Sequence, residues 1–234
     1  LGTEEKKARE IIEAALEAGI NYFDTADLYD YGENEKIVGY ALKSVRDEVM
    51  IATKAGNRWK EVKQGWFWDA SKSYIKEAAK QSLKRLGTDY IDLFQLHGGT
   101  MDDPIDETIE AFEELKDEGI IRYYGISSIR PTVIREYAQR SSIVSVMMQY
   151  SLLDRRPEEQ AMPLLKEAGI NVVARGPVAK GLLSEKFMDK LNDAIKEKGY
   201  QDYGYSELVT LLEKLKELAS AWGRTMNGIA LQFV

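Results

Sequence analysis

Apolar positions along the chain alternate between two periods. In "EEKKAREIIEAALEAG", Ile11, Ile12, Ala15 and Leu16 recur at helical spacing, with Thr3 as N-cap and Gly19 as the stop. "INYFDT" then reads as a short strand. "NEKIVGYALKSV" returns to the helical period, and "EVMIATK" is a near-continuous apolar strand. The amphipathic helix "SKSYIKEAAKQSLKRLG" ends at Gly87 and precedes the strand "IDLFQLH". "IDETIEAFEELKDEG" and "IRYYGIS" repeat the pair. A helix near 131–139 leads to the strand "IVSVMMQY", and a helix near 158–168 to "INVVARG". The remainder predicts helices over "YSELVTLLEKLKELASAWG" and "TMNGIALQFV".

Strands that are apolar on both faces and alternate with helices predict a parallel sheet in an α/β fold. Six strands in a chain that opens and closes on helix predict a TIM (β/α)8 barrel lacking its first and eighth strands. This makes residues 1–234 a single barrel domain truncated at both ends. A six-stranded open sheet is the alternative. Two long stretches, 55–70 and 178–204, read as irregular, the second with a helical piece, and long irregular segments in compact domains are commonly functional.

Composition narrows the partners. The 234 residues are 44% hydrophobic and 30% charged, which suits a soluble globular domain. The net charge of −7 speaks against a general nucleic-acid or anionic-membrane binder. No apolar run reaches the roughly 20 residues of a membrane span. The absence of cysteine excludes disulfides and suits a cytoplasmic protein.

In α/β barrels the chemistry gathers at the C-terminal ends of the strands. At those positions stand Asp24, Lys54, His97 (the sole histidine), Ser127, Ser128, Gln149 and Arg175, with Tyr29 five residues beyond Asp24. A phenol with a pKa of about 10 is a poor acid at neutral pH, and a neighbouring ammonium lowers that pKa. An aspartate keeps such an ammonium charged and oriented, and a neutral imidazole fixes a substrate oxygen. The set suits proton delivery to a carbonyl oxygen gaining negative charge. One histidine and no cysteine do not make a usual zinc site, so no metal is expected.

"GINYFDTADLYDYGENEKIVGYAL", "VMIATKAG", "SLKRLGTDYIDLFQLHGG" and "IRYYGISS", in that order, resemble the aldo-keto reductases over almost the whole chain. The resemblance implies reversible hydride transfer between NADP(H) and an aldehyde or ketone, with NAD(H) not excluded. It puts the catalytic roles on Asp24, Tyr29, Lys54 and His97. Tyr29 would be the general acid, Lys54 and Asp24 its tuning pair, and His97 the group that orients the carbonyl. Asp24, Ser127, Ser128 and Gln149 would contact the nicotinamide side of the cofactor. The segment "ARGPVAKGLL" would wrap the pyrophosphate through Gly176, Pro177, Val178, Gly181 and Leu183.

Two departures from the family pattern stand out. Ser128 replaces a frequent Asn, and Arg175 replaces an aromatic that stacks on nicotinamide. Stacking of the guanidinium and pairing with a carboxylate are both open for Arg175. Trp59, Trp66, Phe67 and Trp68 either wall a substrate pocket or pack their loop onto the rim, whereas Met147 and Met148 read as core. The expected partner is a small carbonyl compound, and the expected state a monomer or weak homo-oligomer. Two rival functions are a non-catalytic, redox-sensing cofactor-binding subunit and a lyase or isomerase using Lys54 as a Schiff base.

Overall fold

Every helix and strand expected from the alternation forms in the computed structural model, which describes residues 5–60 and 64–234. The elements are α1 (Glu5–Glu17), β1 (Tyr22–Asp24), α2 (Glu33–Leu42), β2 (Met50–Ala55), β3 (Asn57–Trp59), β4 (Trp66–Trp68), α3 (Lys72–Leu86), β5 (Ile91–Leu96), α4 (Ile105–Asp117), β6 (Ile121–Ser127), α5 (Pro131–Arg140), β7 (Ser145–Gln149), α6 (Ala161–Ala168), β8 (Asn171–Arg175), α7 (Asp193–Lys198), α8 (Tyr205–Ala221) and α9 (Met226–Phe233). Thr3, the expected cap of α1, lies outside the described residues. On α1, Ile12, Ala15 and Leu16 are half-buried and Ile11 is exposed.

The chain divides into two compact units, Leu1–Val146 with Leu165–Asn171, and Met147–Leu164 with Val172–Val234. In the first, β1, β2, β5 and β6 pair in parallel, with Asp24 opposite Ala52, Lys54 opposite Gln95 and Leu96 opposite Ile126. The parallel ladder ends all these strands on one edge, so Asp24, Lys54 and the residue after Leu96 share a rim. β5 is buried throughout, as its unbroken apolar run requires. Phe112 stacks on Tyr124 at 5.0 Å and leans on Phe94 at 5.7 Å under the sheet. At the opposite edge, Asp92 accepts from Arg46 at 2.7 Å and Arg122 at 3.1 Å, and the two guanidinium groups lie 3.9 and 3.8 Å from the centre of the Tyr90 ring.

α3 has clear boundaries in the sequence. The Ser71 hydroxyl accepts from the Tyr74 N–H at its start, and Gly87 ends it in the left-handed conformation. The second unit contains the end of β7 beside β8, with the Tyr150 N–H donating to the Arg175 carbonyl at 3.2 Å. Leu182, Leu183, Phe187, Leu208, Leu212 and Met226 make its core. Met147 and Met148 are buried, as expected.

One expectation needs correcting. Residues 55–70 are not wholly irregular, since β3 and β4 pair antiparallel as a short hairpin, Asn57 opposite Trp68 and Trp59 opposite Trp66. Strands of three residues carry too little period to register in the sequence. Parallel strands followed by helices are the repeat of the (β/α)8 barrel, and the chain has that fold class, with six of its strands among the described residues.

Candidate active site

The first unit builds a rim site from three strand ends and one turn. Asp24 closes β1, Lys54 sits one residue before the end of β2, and His97 follows β5 directly. Tyr29 enters through a turn closed by its own N–H on the Ala26 carbonyl at 3.1 Å. The two residues after it, Asp30 and Tyr31, have left-handed backbones (φ 51° and 56°), a conformation that costs L-residues of order 1 kcal/mol each and recurs at functional sites.

Lys54 is 1% exposed, yet its ammonium is well supplied. Nζ donates to Asp24 Oδ1 at 2.5 Å and to the Thr25 carbonyl at 2.7 Å. It lies 5.3 Å from the centre of the Tyr29 ring. Burial lowers the Lys54 pKa from its ordinary value, and Asp24, Asp27 and Glu35 oppose that shift. Burial likewise raises the Asp24 carboxyl, against the pull of Lys54. The pair therefore joins a buried ammonium to a part-exposed carboxylate, and removal of Asp24 would leave the buried Lys54 charge stranded.

The Tyr29 ring stands edge-on to the His97 imidazole, centroids 5.8 Å apart and planes at 82°. Both side chains are half-buried. His97 is held by its backbone. Its N–H donates to the Ala55 carbonyl at 2.7 Å, and its carbonyl accepts from Asn57 Nδ2 at 2.9 Å. Arg130 Nη1 fastens the following loop by donating to the Gly99 carbonyl at 2.8 Å. The four groups singled out in the sequence thus gather on one rim, with the Tyr29 ring 5.3 Å from the Lys54 ammonium and 5.8 Å from the His97 imidazole.

Beneath this set lies a buried network that sequence reasoning did not single out. Asp27 accepts from the Tyr74 hydroxyl at 3.0 Å and donates its N–H to the Lys54 carbonyl at 3.1 Å. Glu35 is fully buried and accepts from Thr53 Oγ1 at 2.6 Å and from Arg85 Nε at 2.5 Å. Desolvation and the Glu35 charge push the Asp27 carboxyl up to about 7, against the Tyr74 hydroxyl and Arg85. The sequence signal was an acid two residues before the tyrosine, in "DTADLY".

The aromatic loop divides its labour. Trp68 packs where β2 and β5 end, and side chains added at Gly56 or Gly98 would meet its ring at 2.7 and 2.9 Å. Trp59 stacks on Tyr31 at 4.0 Å, while Trp66 and Phe67 are exposed. Ser127 ends β6, and the buried Ser128 hydroxyl accepts from the Arg130 N–H at 3.3 Å.

In the second unit, Gln149 ends β7 with both amide atoms engaged. Nε2 donates to Asp154 Oδ2 at 2.8 Å, and Oε1 accepts from Arg175 Nη2 at 3.3 Å. Arg175 thus meets a neutral amide there, a partner not anticipated for it. Arg156 grips Asp154 with two bonds of 2.8 Å and lowers its pKa. Gly176, before Pro177, has a left-handed backbone (φ +70°) with open space where a side chain would be, and Gly181 is also left-handed. The Gly181 and Leu183 N–H groups both donate to the Val178 carbonyl, and the Leu183 side chain is in the core.

A phenol, an ammonium, a carboxylate and an imidazole thus stand on one rim of a (β/α)8-type sheet. The aldo/keto reductase family model matches residues 2–234, and the chain belongs to that family. It is 63% identical over 219 residues to an uncharacterised oxidoreductase of Bacillus subtilis (strain 168), covering 94% of this chain and 71% of the relative. An aldo-keto reductase from Bacillus halodurans, solved in a holo form, superposes with a TM-score of 0.84 at 64% identity, covering 91% of this chain and 69% of that one. An aldo/keto reductase from Klebsiella pneumoniae in complex with NADP and acetate matches with a TM-score of 0.73 at 26% identity, covering 95% and 68%. Membership carries the family's general activity, oxidoreduction between carbonyl and alcohol with a nicotinamide cofactor. Among the described residues no helix is long and apolar enough to cross a membrane.

Proposed function

We propose that this protein reduces small aldehydes or ketones with NADPH, Tyr29 acting as the general acid. One observation carries the reading: the Tyr29 ring lies beside the buried Lys54 ammonium and edge-on to the His97 imidazole. A dihydronicotinamide bound beside this set would supply a hydride to the carbonyl carbon. As negative charge grows on the carbonyl oxygen, the Tyr29 hydroxyl donates its proton there. The Lys54 ammonium stabilises the phenolate left behind, and Asp24 holds that ammonium charged and aimed. His97 directs the carbonyl oxygen toward Tyr29.

Cofactor binding falls to Asp24, Ser127 and Ser128 in the first unit and to Gln149, Arg175 and the segment 176–183 in the second. The open left-handed backbone at Gly176 fits close approach by a phosphate. Gln149 retains one N–H and one lone pair for a carboxamide. Gly181 and Leu183, whose N–H groups are already spent on Val178, act as shapers of the loop. The choice of NADP follows the Klebsiella complex. Trp59, Trp66 and Phe67 make an apolar wall for the substrate. In this reading the protein works in the cytoplasm as a monomer or weak homo-oligomer, and its partners are a small carbonyl substrate and the cofactor.

Tyr29→Phe is expected to reduce turnover of a reducible aldehyde by about 10²–10⁴-fold, the usual worth of general acid catalysis. Quenching of tryptophan fluorescence by NADPH should persist. Undiminished turnover would overturn the assignment, and nucleotide binding without turnover by the wild type across an aldehyde panel would favour a redox-sensing role.

A further inference from the structure

The hairpin of β3 and β4 turns one face to the rim. Asn57 pairs with Trp68 and Trp59 with Trp66, so these four side chains stand on the same side of the ribbon, with Arg58 and Phe67 on the other. From that side Asn57 Nδ2 donates to the His97 carbonyl at 2.9 Å, and Trp59 stacks on Tyr31 at 4.0 Å. The Trp68 ring lies where a side chain at Gly98 would stand. Three residues of one small ribbon therefore touch both segments that carry Tyr29 and His97.

The peptide after His97 depends on such a hold. The β2–β5 register ends with Ala55 opposite Leu96, and just beyond it the His97 N–H donates to the Ala55 carbonyl at 2.7 Å. The His97 carbonyl belongs to the peptide it shares with Gly98, which, like Gly99, has a positive φ (149° and 117°). Glycines in that conformation leave the peptide plane many alternatives. Asn57 removes them, because against a carbonyl its amide can offer only an N–H. The amide is itself braced. The Asp69 N–H donates to the Gly56 carbonyl at 2.8 Å, Arg58 pairs with Asp69 at 3.2 Å, and Trp68 Nε1 donates to Asp103 at 2.7 Å.

We infer that Asn57 is a positioning residue for the proposed reduction: its amide, fixed by the hairpin, locks the peptide after His97 and thereby aims the imidazole at Tyr29. The bond sets ψ at His97, and ψ decides which rotamers the imidazole can occupy. The rotamer held is the one that stands edge-on to the Tyr29 ring at 5.8 Å. The inference rests on the carbonyl-reduction reading of the same site.

The test is Asn57→Leu in the full chain, which keeps the volume and deletes the donor. His97 is the sole histidine, so its 13Cε1 resonance is a single peak. In the wild type that peak should show a nuclear Overhauser contact with the Tyr29 ring, identified by its displacement in Tyr29→Phe. In Asn57→Leu the peak should move or broaden, and the contact should weaken by about half or more as other rotamers open. For a reducible aldehyde kcat should fall about tenfold to a hundredfold, with quenching of tryptophan fluorescence by NADPH unchanged. A peak and a contact identical to those of the wild type would overturn the inference, even with a lowered urea midpoint, and leave Asn57 a structural staple. A changed peak with undiminished kcat would overturn it too. If Asn57→Leu fails to fold, Asn57→Ser, too short to reach the His97 carbonyl, is read in the same way. The resonance reports without turnover, so a wild type that reduces no carbonyl would sink the function reading while the hold of Asn57 on His97 is still decided.

Discussion

Nε1 of Trp68 donates to Oδ1 of Asp103 at 2.7 Å, tying the last residue of a hairpin to the loop beyond β5. The same carboxylate accepts from the Thr100 N–H and hydroxyl at 2.7 and 2.8 Å. The indole ring meanwhile covers Gly56 and Gly98, the residues flanking the strand ends that carry Lys54 and His97. Trp68 therefore belongs to the support of the site, not to a wall that contacts substrate.

Trp68→Phe should cost about 1–3 kcal/mol of stability through the lost bond to a charged acceptor. Gly98→Ala should also destabilise, because its φ of +149° disfavours a side chain and the new carbon would lie 2.9 Å from the indole. Urea midpoints for both variants measure this. Wild-type midpoints for both would show that the ring is not braced as described.

What the sequence made legible followed from how locally each feature is determined. α3 declares itself through period, the Ser71 cap and Gly87, all within seventeen positions. Lys54 and His97 stand where apolar strands end, and a parallel ladder converts that into a shared rim. Asp27 was not legible, because its burial depends on Tyr74, 47 residues away on another element. Arg175 and Gln149 meet across 26 positions, a pairing no local period encodes. The hairpin escaped notice because each of its strands has only three residues, too few for an alternation to be read.

Asp27 should also shape the dependence of stability on pH. Its pKa is raised from 3.8 to about 7, so between those values the folded protein holds a proton that the unfolded chain has released. Stability from this group is then lost as pH rises through that window, at up to about 1.4 kcal/mol per pH unit, and levels off above about 7. Asp27→Asn removes the titration and keeps the Tyr74 bond. Its stability relative to the wild type should therefore climb from pH 4 to 7 and stay flat beyond. Thermal unfolding of both proteins across that range measures the difference, and a constant gap would mean that Asp27 does not hold its proton on folding.

Gln149 offers the last expectation, on the proposed cofactor side. Its amide is held at both ends, by Asp154 at 2.8 Å and by Arg175 at 3.3 Å, and Asp154 is itself locked by two bonds from Arg156. The shorter bond and the locked acceptor make Asp154 the stronger of the two restraints, whereas Arg175 is exposed and its bond long. Gln149→Leu should weaken NADPH binding about tenfold, equivalent to about 1.4 kcal/mol. Arg175→Met should weaken it by less, because Asp154 still aims the amide. Calorimetric titration of the nucleotide into each variant reads both numbers. A larger loss in Arg175→Met than in Gln149→Leu would assign the guanidinium a direct contact with the nucleotide instead of a share in orienting Gln149.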